Sequence, residues 1–148
     1  MSLWDWAVEA YGRPDAEAAC LALQDRYGQC VPFLLWAVWA NPDEAALNAG
    51  MRVARGWHGG VIAPLRSARR AMKEPPFDDE ALREEIKACE LKAERGLLEA
   101  LAPVTRRRKG EAMASLMAAS ALWGAGAGAP KQALQRLADA VSDSLPAT

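Results

Sequence analysis

The chain has 148 residues, 51% hydrophobic and 25% charged, with a formal net charge of −1. That length gives one domain whose core needs neither a disulfide nor a metal. The composition excludes a wholly disordered chain, and the near-zero charge excludes a protein basic throughout, such as a nucleic-acid coat.

Alanine dominates with 32 copies, set among Leu, Glu, Arg and Met, all strong helix formers. No run of β-branched and aromatic residues alternates strictly, so no strand is expected. Ser2 caps a first helix that ends at Gly12 and places Leu3, Trp6, Ala7 and Ala10 on one face. Pro14 opens a second helix ending at Gly28, with Ala16, Ala19, Cys20, Leu23 and Tyr27 as its apolar face. A third, Val31 to Ala40, is apolar all round and therefore central. It is about half the length needed to cross a bilayer, so no membrane span is expected. Asn41-Pro42 stops it, and Asp43-Glu44 start the fourth. Gly56, Gly59 and Gly60 around Trp57-His58 predict a break or a tight helix crossing.

The fifth helix, Val61 to Lys73, is two-faced: Val61, Leu65, Ala68 and Met72 face the core, and Arg66, Arg69, Arg70 and Lys73 lie on a separate arc. Asp78 or Asp79 caps a sixth that runs to about Leu101, with a stripe of Leu82, Ile86, Cys89, Ala93, Leu97 and Ala100. Leu91 and Leu98 lie nearly opposite that stripe and predict cover by the seventh or last helix, or a seam for a partner. The basic run Arg106 to Lys109 reads as an exposed, solvated loop before a seventh helix, Glu111 to Trp123. Gly124 to Pro130 reads as a linker, and Lys131 to Ser144 as a last helix carrying Leu134, Leu137, Ala138, Val141 and Leu145. The organisation is thus a core over 1–104, a basic loop and helix over 105–123, a linker over 124–130 and a C-terminal helix or tail over 131–148. The fold class is all-α, a single-domain bundle of seven to eight short helices with a flexible C-terminal extension.

Several of these residues recur together in a known pattern. Leu3-Trp4-Asp5-x-Ala7, Ala19-Cys20-Leu21-x-Leu23-Gln24-Asp25 with Gly28, Leu34-Leu35-Trp36, and Pro64-Leu65-Arg66 with Arg69-Arg70 resemble a proteobacterial family of small helical proteins of unknown function. The resemblance covers roughly residues 3 to 100. That family carries Phe where this chain has Trp6, and Asn where it has Pro32. The resemblance implies a bacterial cytoplasmic protein and supplies no catalytic residue.

The chemistry-bearing residues are few. His58 is the single histidine, and Gly56-Trp57-His58-Gly59 matches no zinc or catalytic pattern. It reads as a helix-junction histidine donating to a backbone carbonyl. Gly124 to Gly128 lacks the Lys-Ser/Thr of a phosphate loop. Asp139 and Asp143, like Asp5 and Glu9, sit one turn apart, but the chain is too short for a diphosphate-binding helical enzyme. No metal and no cofactor is expected, and the protein is expected not to be an enzyme. Three cysteines without a CxxC pair, and a first segment without a basic leader, predict a reducing cytoplasm.

Charge is sorted by segment. Residues 1–50 hold two basic against seven acidic residues, 51–73 hold six basic and no acidic, and 74–104 hold four against nine. The face of Arg66, Arg69, Arg70 and Lys73 therefore has three readings: internal pairing with the acidic sixth helix, an anion site, or docking to an acidic partner. Six tryptophans either pack the core or line a pocket, with Trp4 and Trp123 the most exposed. Two functions follow. The first is a non-enzymatic interaction or regulatory module that uses Arg66, Arg69, Arg70 and Lys73 with Leu91 and Leu98, and takes a protein partner or forms a homo-oligomer. The second is a small-ligand binder with a pocket at Trp36, Trp39, Trp57 and His58. Nucleic acid and membrane are disfavoured as partners, because no aromatics interleave with the basic run and the fifth helix needs its apolar face for the core.

Overall fold

A computed structural model describes every residue of the chain except Ala125, which lies within the expected linker. Among the described residues there are eight α-helical segments and no strand. The architecture is built around α3 (Val31–Ala40), whose ten residues are all buried. An all-apolar helix can satisfy itself only by being surrounded. Packed around it are α1 (Leu3–Tyr11), α2 (Pro14–Tyr27), α4 (Glu44–Trp57), α6 (Glu80–Leu101) and α7 (Ala112–Trp123).

The helix ends follow local chemistry. Ser2 and Asp5 form a capping box on α1, the Asp5 amide donating to the Ser2 hydroxyl at 3.1 Å. Gly28 adopts φ 62° to end α2. Asn41, also left-handed at φ 46°, ends α3 and then clips a distant loop: its amide donates to the Lys109 carbonyl at 2.6 Å and its carbonyl accepts from Ser115 at 2.8 Å. Asp79 caps α6 through the Leu82 amide. Tyr27, expected on the buried face of α2, stands exposed at the helix end.

Neither a break nor a tight crossing occurs at Gly56 to Gly60. A π-turn, His58–Ile62, joins α4 to α5 (Ala63–Ala71) in one continuous rod, leaving seven separate rods. A Cβ at Gly56, Gly59 or Gly60 would meet nothing. The close approaches are elsewhere, at Gly50 under the ring of Trp36 and at Gly96 under Trp57. The π-turn inserts one residue, and one residue is about 100° of helix. The inward face of α5 is shifted accordingly: Ile62 is buried, Arg66 and Arg69 point at α6, and Val61 and Ala68 face solvent. Of the expected core face, Val61 and Ala68 are thus turned out, whereas Leu65 stays half-buried against the core and Met72 is half-buried.

The stripe on α6 also holds only in part. Ala93 and Leu97 are buried, but Leu82 and Cys89 are exposed, and the buried line passes through Glu90 instead of Cys89. Residues 131–148 join the core. The last helix, α8 (Lys131–Val141), packs against α2 and α7 and buries Leu134, Leu137, Ala138 and Val141. Trp6 donates its indole N–H to the Ser144 hydroxyl at 3.0 Å, and Arg13 donates to the Ala140 carbonyl at 3.2 Å.

Candidate functional site

The basic face of α5 is built inward. Arg66 donates from Nε to Glu90 at 2.9 Å and reaches Glu94 at 3.2 Å; Arg69 donates from Nε to Glu90 at 2.6 Å. Glu90 is 6% exposed, so α6 carries a buried carboxylate held by two guanidinium groups. Burial pushes the Glu90 carboxyl up, but hydrogen bonds from Arg69 and Arg66 outweigh it and hold the group below its ordinary range. Glu94 goes the other way, because burial dominates over its single contact with Arg66. Arg70 pairs with Asp25 on α2 at 2.6 Å. Of the four expected contact residues, Arg66, Arg69 and Arg70 have internal partners, and Lys73 is exposed at the helix end. Of the three readings of this face, internal pairing with the acidic sixth helix describes Arg66 and Arg69, while Arg70 pairs with α2 and remains half exposed beside Lys73.

The tryptophan pocket does not form. Trp36 is fully buried and stacks on Phe33 with ring centroids 5.8 Å apart, over Gly50. Trp39 packs against Trp6 at 5.6 Å and under the guanidinium of Arg107 at 3.9 Å. Trp57 lies on Gly96. His58 meets Trp123 edge-on at 5.1 Å, with no carbonyl partner among the described residues, and burial lowers its pKa. The four side chains are spread apart: Trp36 and Trp39 are buried, and Trp57 and His58 are half-buried at the edge of the core. Trp123, expected exposed, is buried: its N–H donates to the Gly28 carbonyl at 3.0 Å and Arg55 stacks on its ring.

The basic loop is not simply solvated. Arg107 donates to the carbonyls of Trp39 and Pro146 at 3.0 Å each, and Arg108 donates to that of Asn41 at 3.0 Å. These arginines staple the loop and the last residues to the end of α3. A shallow depression of about 550 Å³ lies there.

A different feature emerges where α1, α2, α3 and α6 meet. They enclose a cleft of about 640 Å³. Its floor is apolar: Ala7, Val31, Leu35 and Leu98 line it and are buried. Its rim carries Val8, Tyr11, Leu21 and Leu91, all exposed large apolar side chains, Leu91 at 53%. Polar groups are set at the walls: Glu17 and Gln24 from α2, and Lys87, Glu90 and Glu94 from α6, with Arg69 behind Glu90. The Leu91 and Leu98 seam of the sequence is one wall and part of the floor of this cleft. Leu98 is covered, but by the first and third helices instead of the seventh or last; Leu91 stays open. Sequence reasoning missed the contributions of α1 and α2, since Val8 and Leu21 look like isolated surface residues until two helices converge.

Burial pushes the Tyr11 hydroxyl up to about 12, with Cys20, Glu94 and Glu17 adding to the shift. Tyr11 thus stays a neutral donor at the cleft. Among the described residues no group of three or more His, Cys, Asp or Glu could hold a metal, and no helix is long and apolar enough to cross a membrane.

Fold and cleft together define a small all-helical protein with an apolar groove backed by an internal ion-pair cluster. Residues 2–101 match the family described as "Protein of unknown function (DUF2390)", and the chain belongs to that family. No curated protein and no solved structure matches it. The matched segment contains every residue of the groove, from Trp4 to Leu98, and ends before α7.

Proposed function

We propose that the chain is a non-enzymatic interaction module that takes an apolar segment of a protein partner into the groove between α1, α2, α3 and α6. One observation carries this reading: four of the exposed large apolar side chains, Val8, Tyr11, Leu21 and Leu91, converge on one apolar-floored cleft. Exposed apolar surface gathered in a concave, polar-rimmed site marks recognition, and helical partners are read through such grooves. A second reading has its own support. The volume lies within the roughly 300–1,000 Å³ of small-ligand sites, which favours an apolar small molecule. Three free cysteines, two of them buried, suit a reducing compartment.

The test uses a synthetic amphipathic helix with a leucine stripe and uncharged glutamine flanks, titrated into isotope-labelled protein. Saturable chemical-shift changes are expected at Val8, Leu21 and Leu91. Leu91→Asp is expected to weaken binding by about tenfold, equivalent to about 1.4 kcal/mol, while leaving the melting temperature unchanged. Shift changes centred elsewhere overturn the groove as the partner site, and displacement of a co-purifying small molecule from it by no peptide favours the second reading.

A further inference from the structure

We propose that the depression at the end of α3 binds the phosphate group of a small phosphorylated molecule, held by Arg108 and Lys109 beside the fixed guanidinium of Arg107. The site lies apart from the groove and does not rest on it. What carries it is a run of cations that the fold leaves without carboxylates. Elsewhere arginines are met by acid: Arg66 and Arg69 by Glu90, Arg70 by Asp25, Arg13 by Asp143 and Arg95 by Glu99. None of Arg106, Arg107, Arg108 and Lys109 forms an ion pair among the described residues. Glu111 and the end of the chain at Thr148 share the lining with Arg107, Arg108 and Lys109. Asp43 and Glu44 lie outside it, and Asp43 is turned to cap α4 at the Ala46 amide, 2.8 Å away. With Arg106 alongside, four cations stand against at most two carboxylates of the lining. A surplus of two positive charges matches a phosphate dianion.

Backbone bonds pin the run in place. The Arg108 amide donates to the Ala40 carbonyl at 3.0 Å, and the Lys109 carbonyl accepts from the Asn41 side chain at 2.6 Å. Gly110 seats so closely against Asn41 that a Cβ there would overlap it. Arg107 is the base of the site. It stacks 3.9 Å from the centroid of Trp39 and gives Nε to the Trp39 carbonyl. Its terminal nitrogens donate to the Pro146 and Ala147 carbonyls at 3.0 and 3.3 Å. Carbonyl oxygens orient a guanidinium without cancelling its charge. Burial pushes the Arg107 pKa down, as expected of a cation that lacks a counterion. Arg108 uses only Nε of its side chain, on the Asn41 carbonyl, so both terminal nitrogens remain as a fork. The Lys109 side chain is exposed and donates to nothing among the described residues. A fork and an ammonium beside a fixed positive charge are the donors that phosphate oxygens take. The depression of about 550 Å³ has room for that group and for an organic body resting on Leu145 and Pro146, both half-buried.

The probe is phenyl phosphate, titrated into the isotope-labelled full chain at pH 8, where it is a dianion. Benzoate, a monoanion with the same ring, is the comparison at equal ionic strength. Saturable amide shift changes are expected over residues 106–111. Phenyl phosphate should bind at least about fivefold tighter than benzoate, the effect of one further charge beside an exposed cation, with the margin shrinking as salt is raised. Lys109→Gln should weaken phenyl phosphate by about threefold and leave the melting temperature unchanged, because its exposed side chain forms no hydrogen bond. Equal affinity for the two ligands, or shifts that grow without saturating, would overturn the phosphate site. Shifts centred on Val8 and Leu91 would place the ring in the groove, overturning this site and leaving the groove reading intact. Unchanged affinity in both Lys109→Gln and Arg108→Gln would overturn the donors named here.

Discussion

Replacing Glu90 with glutamine removes the charge from a carboxylate that two guanidinium groups share. Glu90 is 6% exposed, and it accepts from Arg66 Nε at 2.9 Å and Arg69 Nε at 2.6 Å. Each charge-assisted bond of this kind contributes about 1.5–3 kcal/mol. Arg66 keeps Glu94, and the glutamine oxygen still accepts one neutral bond. Arg69 is left facing an amide N–H, donor to donor. The expected cost is about 3 kcal/mol, the lower end of the range for breaking a buried pair. For a chain of this size that lowers the melting temperature by about 6–12 °C. Urea and thermal melts followed by circular dichroism at pH 7 measure it. Because the Glu90 carboxyl titrates below its ordinary 4.5, its contribution is fully present above 4.5 and is lost as pH falls through the depressed folded value. The gap between wild type and Glu90→Gln should therefore close in acid. The double variant Arg69→Met with Glu90→Met removes one charge of each sign and keeps Arg66 with Glu94. It should lie within about 1 kcal/mol of wild type, since apolar replacement of a buried pair is often neutral. A Glu90→Gln cost below about 1 kcal/mol, independent of pH, would refute the claim that the seam is a buried, cooperative cluster.

Glu94→Gln has the opposite sign. The carboxyl is raised by burial, so its ionised form costs the fold stability at pH 7, and the variant should be as stable as wild type or more so, an advantage lost as pH falls through the raised value; paired urea melts at two pH values check it. Gly50→Ala should cost about 1–3 kcal/mol, because a Cβ there overlaps the buried ring of Trp36, and the near-ultraviolet circular dichroism of the indole should change with it. Leu98→Ala should cost about 2–5 kcal/mol and Leu91→Ala about 0.5 kcal/mol or less, because the first is buried and the second open; equal effects in thermal melts would contradict the groove geometry. Burial pushes the thiols of Cys20 and Cys30 up to about 12, whereas Cys89 is exposed, so a thiol-titrating disulfide reagent at mildly alkaline pH should modify one cysteine in the folded protein and three after unfolding.

Helix existence was legible because it depends on local chemistry. Ser2, Pro14, Gly28, Asn41 and Asp79 stand at helix ends for reasons confined to one turn of chain. Val31 to Ala40 announced its burial by lacking any polar face. The groove was only half legible. Leu91 and Leu98 stood out on α6 because a helix with apolar residues on two sides needs two neighbours. Which neighbours they are depends on tertiary placement, and no periodicity in α1 or α2 carries that.

The failure on α5 has a single cause that can be traced along the rod. The buried residues of α4 are Leu47, Gly50 and Ala54. An uninterrupted α-helix continues that line through Val61, Leu65 and Ala68, which is the apolar face the sequence displays. The π-turn at His58–Ile62 adds one residue between the two halves, so the line continues through Ile62, Arg66 and Arg69 instead. Val61 and Ala68 are thereby turned outward and two arginines inward, with Leu65 left half-buried at the edge of the core. Such an inversion is tolerable only where the facing helix supplies buried carboxylates, and Glu90 and Glu94 stand one turn apart on α6 to meet them. The acid on α6 and the π-turn before α5 are therefore one adaptation. It follows that the same pairing which removes the arginines from the surface also fixes Glu94 in the groove wall, half buried and with one oxygen unpaired. The internal seam and one wall of the groove are therefore two sides of one cluster.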